Sequence, residues 1–261
     1  MSRQRHDLRH TKDILIQAGF GVFTITLNWP DRLHAFRSQT LKELATALKA
    51  AERDRATRVI VIAGAGGKAF SVGGDISEMK NLNRRTGEVF VRQLNELATA
   101  FLDSTKPVIA KVDGYCIGGG NEIQLFCDLT IASNRSVFGQ VGPKVGSSPL
   151  WGGTQILPLL VGLKKAKEMI YLCRRYSAAE AVAMGLINEA VSESELDARV
   201  NQVCRELIEK SPQSLRLTRR SLHYGLKQRI AAGLKALGRI YGSPELTEGM
   251  QAFLEKRPPK F

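Results

Sequence analysis

The chain has 261 residues, 43% of them hydrophobic, enough for one large α/β domain and too many for a disordered chain. Apolar runs such as Val59–Ala63 and Ile156–Val161 are too short to cross a bilayer. The charged start, MSRQRHDLRHTKD, lacks the apolar stretch of a secretory signal, so a cytoplasmic protein without membrane contact is expected.

The predicted elements begin with a β-hairpin over residues 13–28, where Ile14 and Ile16 alternate before Gly19 and Gly21 and VFTITLN returns. Ser38 is the expected N-cap of a helix through Ala51, with Leu41, Leu44, Leu48 and Ala51 at helical spacing. Val59–Ala63 is a continuous apolar run closed by Gly64-Ala65-Gly66-Gly67, as in a strand buried on both faces. A helix over 87–101, a strand over 107–112, a second glycine-rich turn, a helix from Asn121 and a strand over 128–132 follow. This alternation predicts crossover connections between parallel strands.

Beyond Gly153 the strand signals thin out, and residues 154–174, 178–185, 195–210, 213–227 and 229–241 read as mostly helical. Ser177, with Glu180 in the capping-box position, and Ser211 are expected N-caps. No Pro/Gly/Ser-rich linker separates the two parts.

Four cysteines, Cys116, Cys127, Cys173 and Cys204, share no metal-ligand spacing and form no CxxC. They read as ordinary buried thiols in a reducing compartment, and no metal is expected. The net charge of +13 suits a polyanion or a multiply phosphorylated small molecule. Basic clusters at 164–167, 216–220 and 256–260 carry no alternating aromatics of a base-stacking platform, so nucleic acid is not the expected partner.

Two glycine-rich loops each follow a strand: Phe70-Ser71-Val72-Gly73-Gly74-Asp75-Ile76 and Gly118-Gly119-Gly120-Asn121-Glu122. Glycine at a strand–helix junction lets the backbone approach a ligand, and a helix start aims free N–H groups outward. Two such loops from neighbouring strands can offer two donors to one oxygen, the geometry of an oxyanion hole. Neither loop has the spacing of a nucleoside-triphosphate or dinucleotide fingerprint.

The run KAFSVGGDISEM (68–79) resembles the coenzyme A loop of the crotonase, or enoyl-CoA hydratase/isomerase, superfamily, and KPVIAKVDGYCIGGGNEIQLFCDLTIAS (106–133) resembles its central signature. FGQVGPKVG, GGTQILPLLVG, SAAEAVAMGLINEAV and the terminal FLEKRPPKF extend the likeness in order along nearly the whole chain. The resemblance implies stacked ββα units forming a spiral core over 1–195 and a helical trimerisation region over 196–261. It also implies trimers paired into hexamers, an acyl-CoA thioester as substrate, and no tightly bound cofactor, coenzyme A being part of the substrate.

Position by position, the resemblance assigns the oxyanion hole to the N–H groups of Gly74 and Gly119. It places coenzyme A along Ser71, Gly73, Asp75 and Ile76, with Arg32 of WPDRLHAF nearby, and its phosphates near Lys256 and Lys260. His34 stands where the superfamily more usually has asparagine. Of the two carboxylates of a hydratase, the first falls on Glu122. The second falls on Gly142, which has none.

FGQVGPKVGS further resembles a subgroup of 1,4-dihydroxy-2-naphthoyl-CoA synthase and the hydrolases that open alicyclic oxoacyl-CoA rings. Ser147 matches that subgroup's serine, but Pro149 replaces the aspartate of the synthase and of the saturated-ring hydrolase. The expected reaction is water addition to an enoyl- or oxo-enoyl-CoA, with Glu122 as acid or base and Ser147 positioning water or a carbonyl. Trp151 is expected in the core or the acyl pocket. Ring closure, a catalytically silent CoA-binding protein and an RNA-binding protein on the same scaffold are the alternatives.

Overall fold

The computed structural model describes residues 11–261. The reading of the N-terminus as no secretory signal rests mainly on residues 1–10, outside the described part. Strand β1 (Ile14–Gly19) pairs antiparallel with β2 (Val22–Leu27), in register from Ile14↔Leu27 to Gly19↔Val22. The tight turn puts Phe20 and Gly21 at positive φ, as a two-residue hairpin loop requires.

Parallel strands then add one beside another: β3 (Val59–Gly64), β5 (Val108–Val112), β7 (Leu129–Ser133) and β10 (Glu189–Val191). A second sheet holds β4 (Ala69–Ser71), β6 (Tyr115–Ile117) and β8 (Val137–Gly139), parallel to one another, with β9 (Arg175–Ser177) antiparallel at its edge. Each of β3, β5 and β7 is followed by a short strand of the second sheet, so the chain climbs in stacked ββα turns as expected. The short strands were not legible: three residues are too few for an alternating pattern to emerge.

The helices are α1 (Ser38–Arg53), α2 (Ile76–Met79), α3 (Arg84–Asp103) and α4 (Gly119–Phe126) in the first half. Then come α5 (Leu157–Val161), α6 (Leu163–Tyr171), α7 (Ala178–Ala183), α8 (Leu196–Ile208), α9 (Pro212–Leu222), α10 (Leu226–Gly238) and α11 (Pro244–Leu254). Among the described residues none is long and apolar enough to cross a membrane.

Alternation along β3 sorts its side chains between two cores. Ile60 and Ile62 join the large core under α1 and α3, whereas Val59 and Val61 join Ile109 and Ile131 under α8. That two-sided burial is what a continuous apolar run encodes.

Several boundaries differ from expectation. Ser38 is the first helical residue rather than the cap, and its N–H and hydroxyl both bind the Glu78 carboxylate. Asn83 caps α3 by accepting the Thr86 N–H, so that helix starts before Gly87. Gly162, at φ 77°, breaks the segment expected over 154–174 into α5 and α6. Helix α11, capped by Ser243, was not foreseen. Ser177 with Glu180, and Ser211, cap as expected. Cys116 and Cys204 are buried, but Cys127 and Cys173 only partly so.

One ion pair fastens the C-terminal helices to the sheets. Arg219 on α9 is 5% exposed, and its Nε binds both oxygens of Asp128 at 2.9 and 2.8 Å. Its other nitrogens donate to the carbonyls of Phe101, at 2.8 Å, and Ser104. Asp128 also accepts the Val108 N–H at 2.7 Å. Removing one member of such a pair strands the other charge in a poorly solvated place. Arg219→Met is expected to lower unfolding stability by about 3–5 kcal/mol, read by chemical denaturation. A loss below about 1 kcal/mol, usual for exposed pairs, would show that the pair does not fasten the helices.

Candidate active site

The site grows from the two glycine loops. Gly74 forms a parallel bridge with Phe36, whose N–H bonds Gly73 O at 2.8 Å and whose carbonyl accepts Asp75 N–H at 2.9 Å. In such a bridge the neighbours make the bonds, so the Gly74 N–H itself points away from Phe36. Gly119 is the first residue of α4, where no helical carbonyl is available to its N–H. Among the described residues neither N–H has a protein partner, and both residues line one cleft of about 540 Å³.

Local packing demands glycine here. Gly73 has φ 91°, and a Cβ on it would lie 2.7 Å from Gly119 N. Added Cβ atoms on Gly74 and Gly119 would run into Met79 and Phe36 respectively. Ser71, fully buried, ties the loop together by donating to His34 O at 2.8 Å and accepting Gly73 N–H at 3.1 Å. Asp75 caps α2 through Ser77 N–H at 2.8 Å.

His34 is a structural group. Its Nδ1 accepts the Trp29 N–H at 2.9 Å and its Nε2 lies 2.8 Å from the Ala65 carbonyl, which places the proton on Nε2. Burial holds the ring below its ordinary pKa, so it stays neutral and braces the loop that carries Phe36.

Glu122 sits on the first turn of α4, 6% exposed, and faces the same cleft. Its Oε1 accepts the N–H groups of Trp151 at 2.9 Å and Gly153 at 3.1 Å. Burial raises its pKa from 4.5 to about 7, against the pull of those two bonds. Position 142 lines the cleft as well, but a Cβ there would meet the Ser147 carbonyl at 3.1 Å and Pro149 at 3.4 Å. A second carboxylate would need that turn to shift.

Arg32, Asp75, Ile76 and Ser147 line the cleft together with Glu122, Gly74 and Gly119. Ser147 holds its turn through its N–H to Gly142 O at 2.9 Å, and its hydroxyl has no protein partner among the described residues. Ser71 and Gly73 are buried and not on the lining, and Lys256 and Lys260 are exposed and not on it either, although Phe253 and Leu254 just before them are. Trp151 serves both expectations: it is 2% exposed, donates Nε1–H to Leu94 O at 2.9 Å and still borders the cleft.

The apolar walls of the cleft were mostly missed. Phe36, Phe90, Leu94, Tyr241 and Met250 reach the cleft from the segment before α1, from α3, from the turn after α10 and from α11, far apart in sequence. Each reads locally as an ordinary core position, and no spacing signal separates them from one.

The arrangement combines two free N–H donors with one carboxylate that titrates near neutrality, in a mostly apolar cleft with Arg32 and Arg175 on its lining. The family model Enoyl-CoA hydratase/isomerase matches residues 17–261. Solved structures agree. An enoyl-CoA hydratase from Mycobacterium avium subsp. paratuberculosis K-10 is 28% identical, with a TM-score of 0.87 over 97% of this chain and 99% of that one. An enoyl-CoA hydratase/isomerase from Xanthobacter autotrophicus Py2 is 30% identical, with a TM-score of 0.86 over 94% of each chain. An enoyl-CoA hydratase subunit from Geobacillus kaustophilus HTA426 is 35% identical, with a TM-score of 0.77 over 96% of this chain and 98% of that one. By a family match over nearly its whole length, and by the fold that carries these two loops, the chain belongs to the enoyl-CoA hydratase/isomerase family.

Proposed function

We propose that the protein adds water to the double bond of an enoyl-CoA thioester. The observation that carries this is the joint presence, in one cleft, of the unpartnered N–H groups of Gly74 and Gly119 and the Glu122 carboxylate. The thioester oxygen receives the two N–H bonds, which strengthen as negative charge builds on it. Glu122 takes a proton from water as the water oxygen bonds to Cβ, and the electron pair of the double bond moves into the enolate. The same residue then returns that proton to Cα, so atoms and charge balance with a single carboxylate. A pKa near 7 suits a group that must both accept and give a proton. Ser147 is positioned to hold the water or a substrate carbonyl. Ring closure as in the naphthoyl-CoA synthase has Pro149 where that enzyme's aspartate would stand, and no observation favours it over hydration.

The coenzyme A portion runs along Asp75 and Ile76 toward Arg32. Lys256 and Lys260, exposed and not on the lining of their own cleft, reach the phosphates of coenzyme A bound to a neighbouring subunit. Exposed Leu159, Leu163, Tyr171 and Leu172 on α5, α6 and the turn after them support the homotrimer, or its hexamer, that this requires.

Incubation with crotonyl-CoA, a cyclohexene-carboxyl-CoA and its oxo derivative tests the reaction. A mass gain of one water is expected; a ring-opened dicarboxyl product would move the assignment to the hydrolases. Glu122→Gln is expected to lower turnover by about 10²–10⁴-fold while leaving coenzyme A affinity intact. Because the base must be ionised, wild-type kcat/KM rises with pH up to an inflection near 7, and Glu122→Gln abolishes that inflection. Near wild-type turnover by the variant would remove Glu122 from the mechanism.

The raised pKa also fixes a sign for stability. Glu122 binds its proton more tightly folded than unfolded, so its contribution falls as pH rises from 4.5 through about 7. Its ionisation in the fold costs up to about 3 kcal/mol above that window. Denaturation of wild type and Glu122→Gln at pH 5 and 8 should show the variant gaining relative stability at the higher pH. Finally, acetyl-CoA affinity should decline with added salt, since phosphate contacts are screened over a Debye length of about 8–10 Å. No binding at low salt, seen by calorimetry, would remove the coenzyme A assignment altogether.

A further inference from the structure

A second cavity, of about 380 Å³, lies where the segment joining α1 to β3 meets the approach to β5 and the opening of α9. It shares no lining residue with the cleft that holds Glu122. Four basic side chains line it: Arg55 and Arg58 between α1 and β3, Lys106 before β5, and Arg216 on α9. Among the described residues no aspartate or glutamate is on the lining. Arg216 belongs to the basic cluster at 216–220, of which Arg219 is spent on Asp128 and the coenzyme A reading uses none.

The four cations are held in different ways. Arg58 is half-buried, and its Nη2 donates to the carbonyls of Ile208 and Lys210, each at 3.0 Å. Those bonds fix the guanidinium and leave its Nε and Nη1 without a protein partner among the described residues. Lys106 Nζ donates to the carbonyls of Ala51 at 2.5 Å and Asp54 at 2.6 Å. Carbonyls satisfy hydrogens but cancel no charge. Arg55 and Arg216 are exposed, and neither has a hydrogen bond or ion pair among the described residues. The Glu52 carboxylate bonds Thr105 and that of Asp54 bonds Thr57. Their charges bear on Lys106. Three guanidinium groups are left at this cavity with no carboxylate partner.

Like charges gathered around one concave space repel, and low-dielectric walls focus their field on whatever enters. A compact, multiply charged anion relieves that repulsion. Guanidinium forks match pairs of phosphate oxygens, and a diphosphate offers two adjoining sets of them within one small group. Pro107, Pro212 and Leu215 add an apolar wall, which a bare inorganic ion would not use and an organic group would. The volume lies in the range of small-molecule sites, roughly 300–1,000 Å³. No aromatic side chain is on the lining, so the stacking platform of a single-stranded nucleic acid site is missing.

We propose that this cavity is a second ligand site that binds a small organic diphosphate, the phosphates held by Arg55, Arg58, Lys106 and Arg216 and the organic group resting on Pro107, Pro212 and Leu215. The proposal does not depend on the acyl-CoA reading of the other cleft. Coenzyme A carries a diphosphate of its own, so a test has to separate the two sites.

Calorimetry on the intact protein, with pyrophosphate, ADP and UDP as probes and sulfate at matched ionic strength as control, makes that separation. ADP and UDP should both bind more tightly than pyrophosphate, and sulfate should show no saturable binding. Arg55→Gln and Arg216→Gln change exposed side chains that hold nothing in the fold. Each should weaken UDP binding ~10-fold or more, the worth of one charge-assisted hydrogen bond. Arg32→Gln, in the other cleft, should leave UDP affinity unchanged. Hydration of crotonyl-CoA should proceed at the wild-type rate in Arg55→Gln and Arg216→Gln, so the two readings stand or fall separately.

If neither nucleotide binds, or if Arg55→Gln and Arg216→Gln bind UDP as wild type does, the inference fails. If Arg32→Gln weakens UDP as much as Arg216→Gln does, the nucleotide occupies the acyl-CoA cleft and the inference fails again. If pyrophosphate binds as tightly as both nucleotides, no organic group is recognised and the proposal is overturned. If sulfate competes as well as UDP, or single-stranded RNA binds where the free diphosphates do not, the cavity is only a patch of basic surface and the proposal is overturned.

Discussion

The site depends on backbone packed directly on backbone. The loop after β4 and the turn before α4 approach so closely that a Cβ on Gly73 would sit 2.7 Å from Gly119 N, and one on Gly120 would overlap Ser71 O. Only chains without side chains can lie so close, so glycine is required at these positions by contact as much as by conformation. Everything else follows from that approach. It brings the unpaired N–H of Gly74, turned outward by its bridge to Phe36, and that of Gly119, at a helix start, to the wall of one cleft. His34 and Ser71 fix the loop from behind, with every hydrogen bond spent on structure.

Into this frame the fold places a carboxylate that it does not fully support. Two N–H bonds hold Glu122 in orientation, yet no cation among the described residues bonds it, and burial dominates its pKa. The result is a group close to its titration point at neutral pH, at a cost in stability that a purely structural residue would have no reason to carry. Position 142 carries no carboxylate, and a side chain there would crowd the Ser147 carbonyl, so the proton traffic of the proposed hydration rests on one residue.

The basic balance of the chain takes on a specific meaning beside this cleft. Many of the basic residues are committed to structure: Arg219 to Asp128, Arg135 to Asp113 and Glu193, Arg257 to Glu248. Arg32 on the cleft lining has no such partner among the described residues, which suits it to the phosphates of coenzyme A. Net charge alone did not choose between that ligand and nucleic acid, since the field of a basic surface attracts either.

The sequence by itself determined the repeating strand–helix order, the two-sided burial of β3, the caps at Ser177 and Ser211, and the two glycine loops with Glu122 behind the second. These are local: apolar periodicity, capping chemistry and glycine runs each leave a mark within a few residues. The family likeness extended this to Gly142 and Ser147. Tertiary structure alone decided the rest. The three-residue strands of the second sheet exist only because their longer neighbours align them, and α9 is fastened by a pairing of Arg219 with Asp128 that spans much of the chain. The walls of the cleft, Phe36, Phe90, Leu94, Tyr241 and Met250, meet from distant segments and look like any core residue in isolation. The four cations of the second cavity likewise come from three separate segments, and no spacing along a chain encodes their meeting.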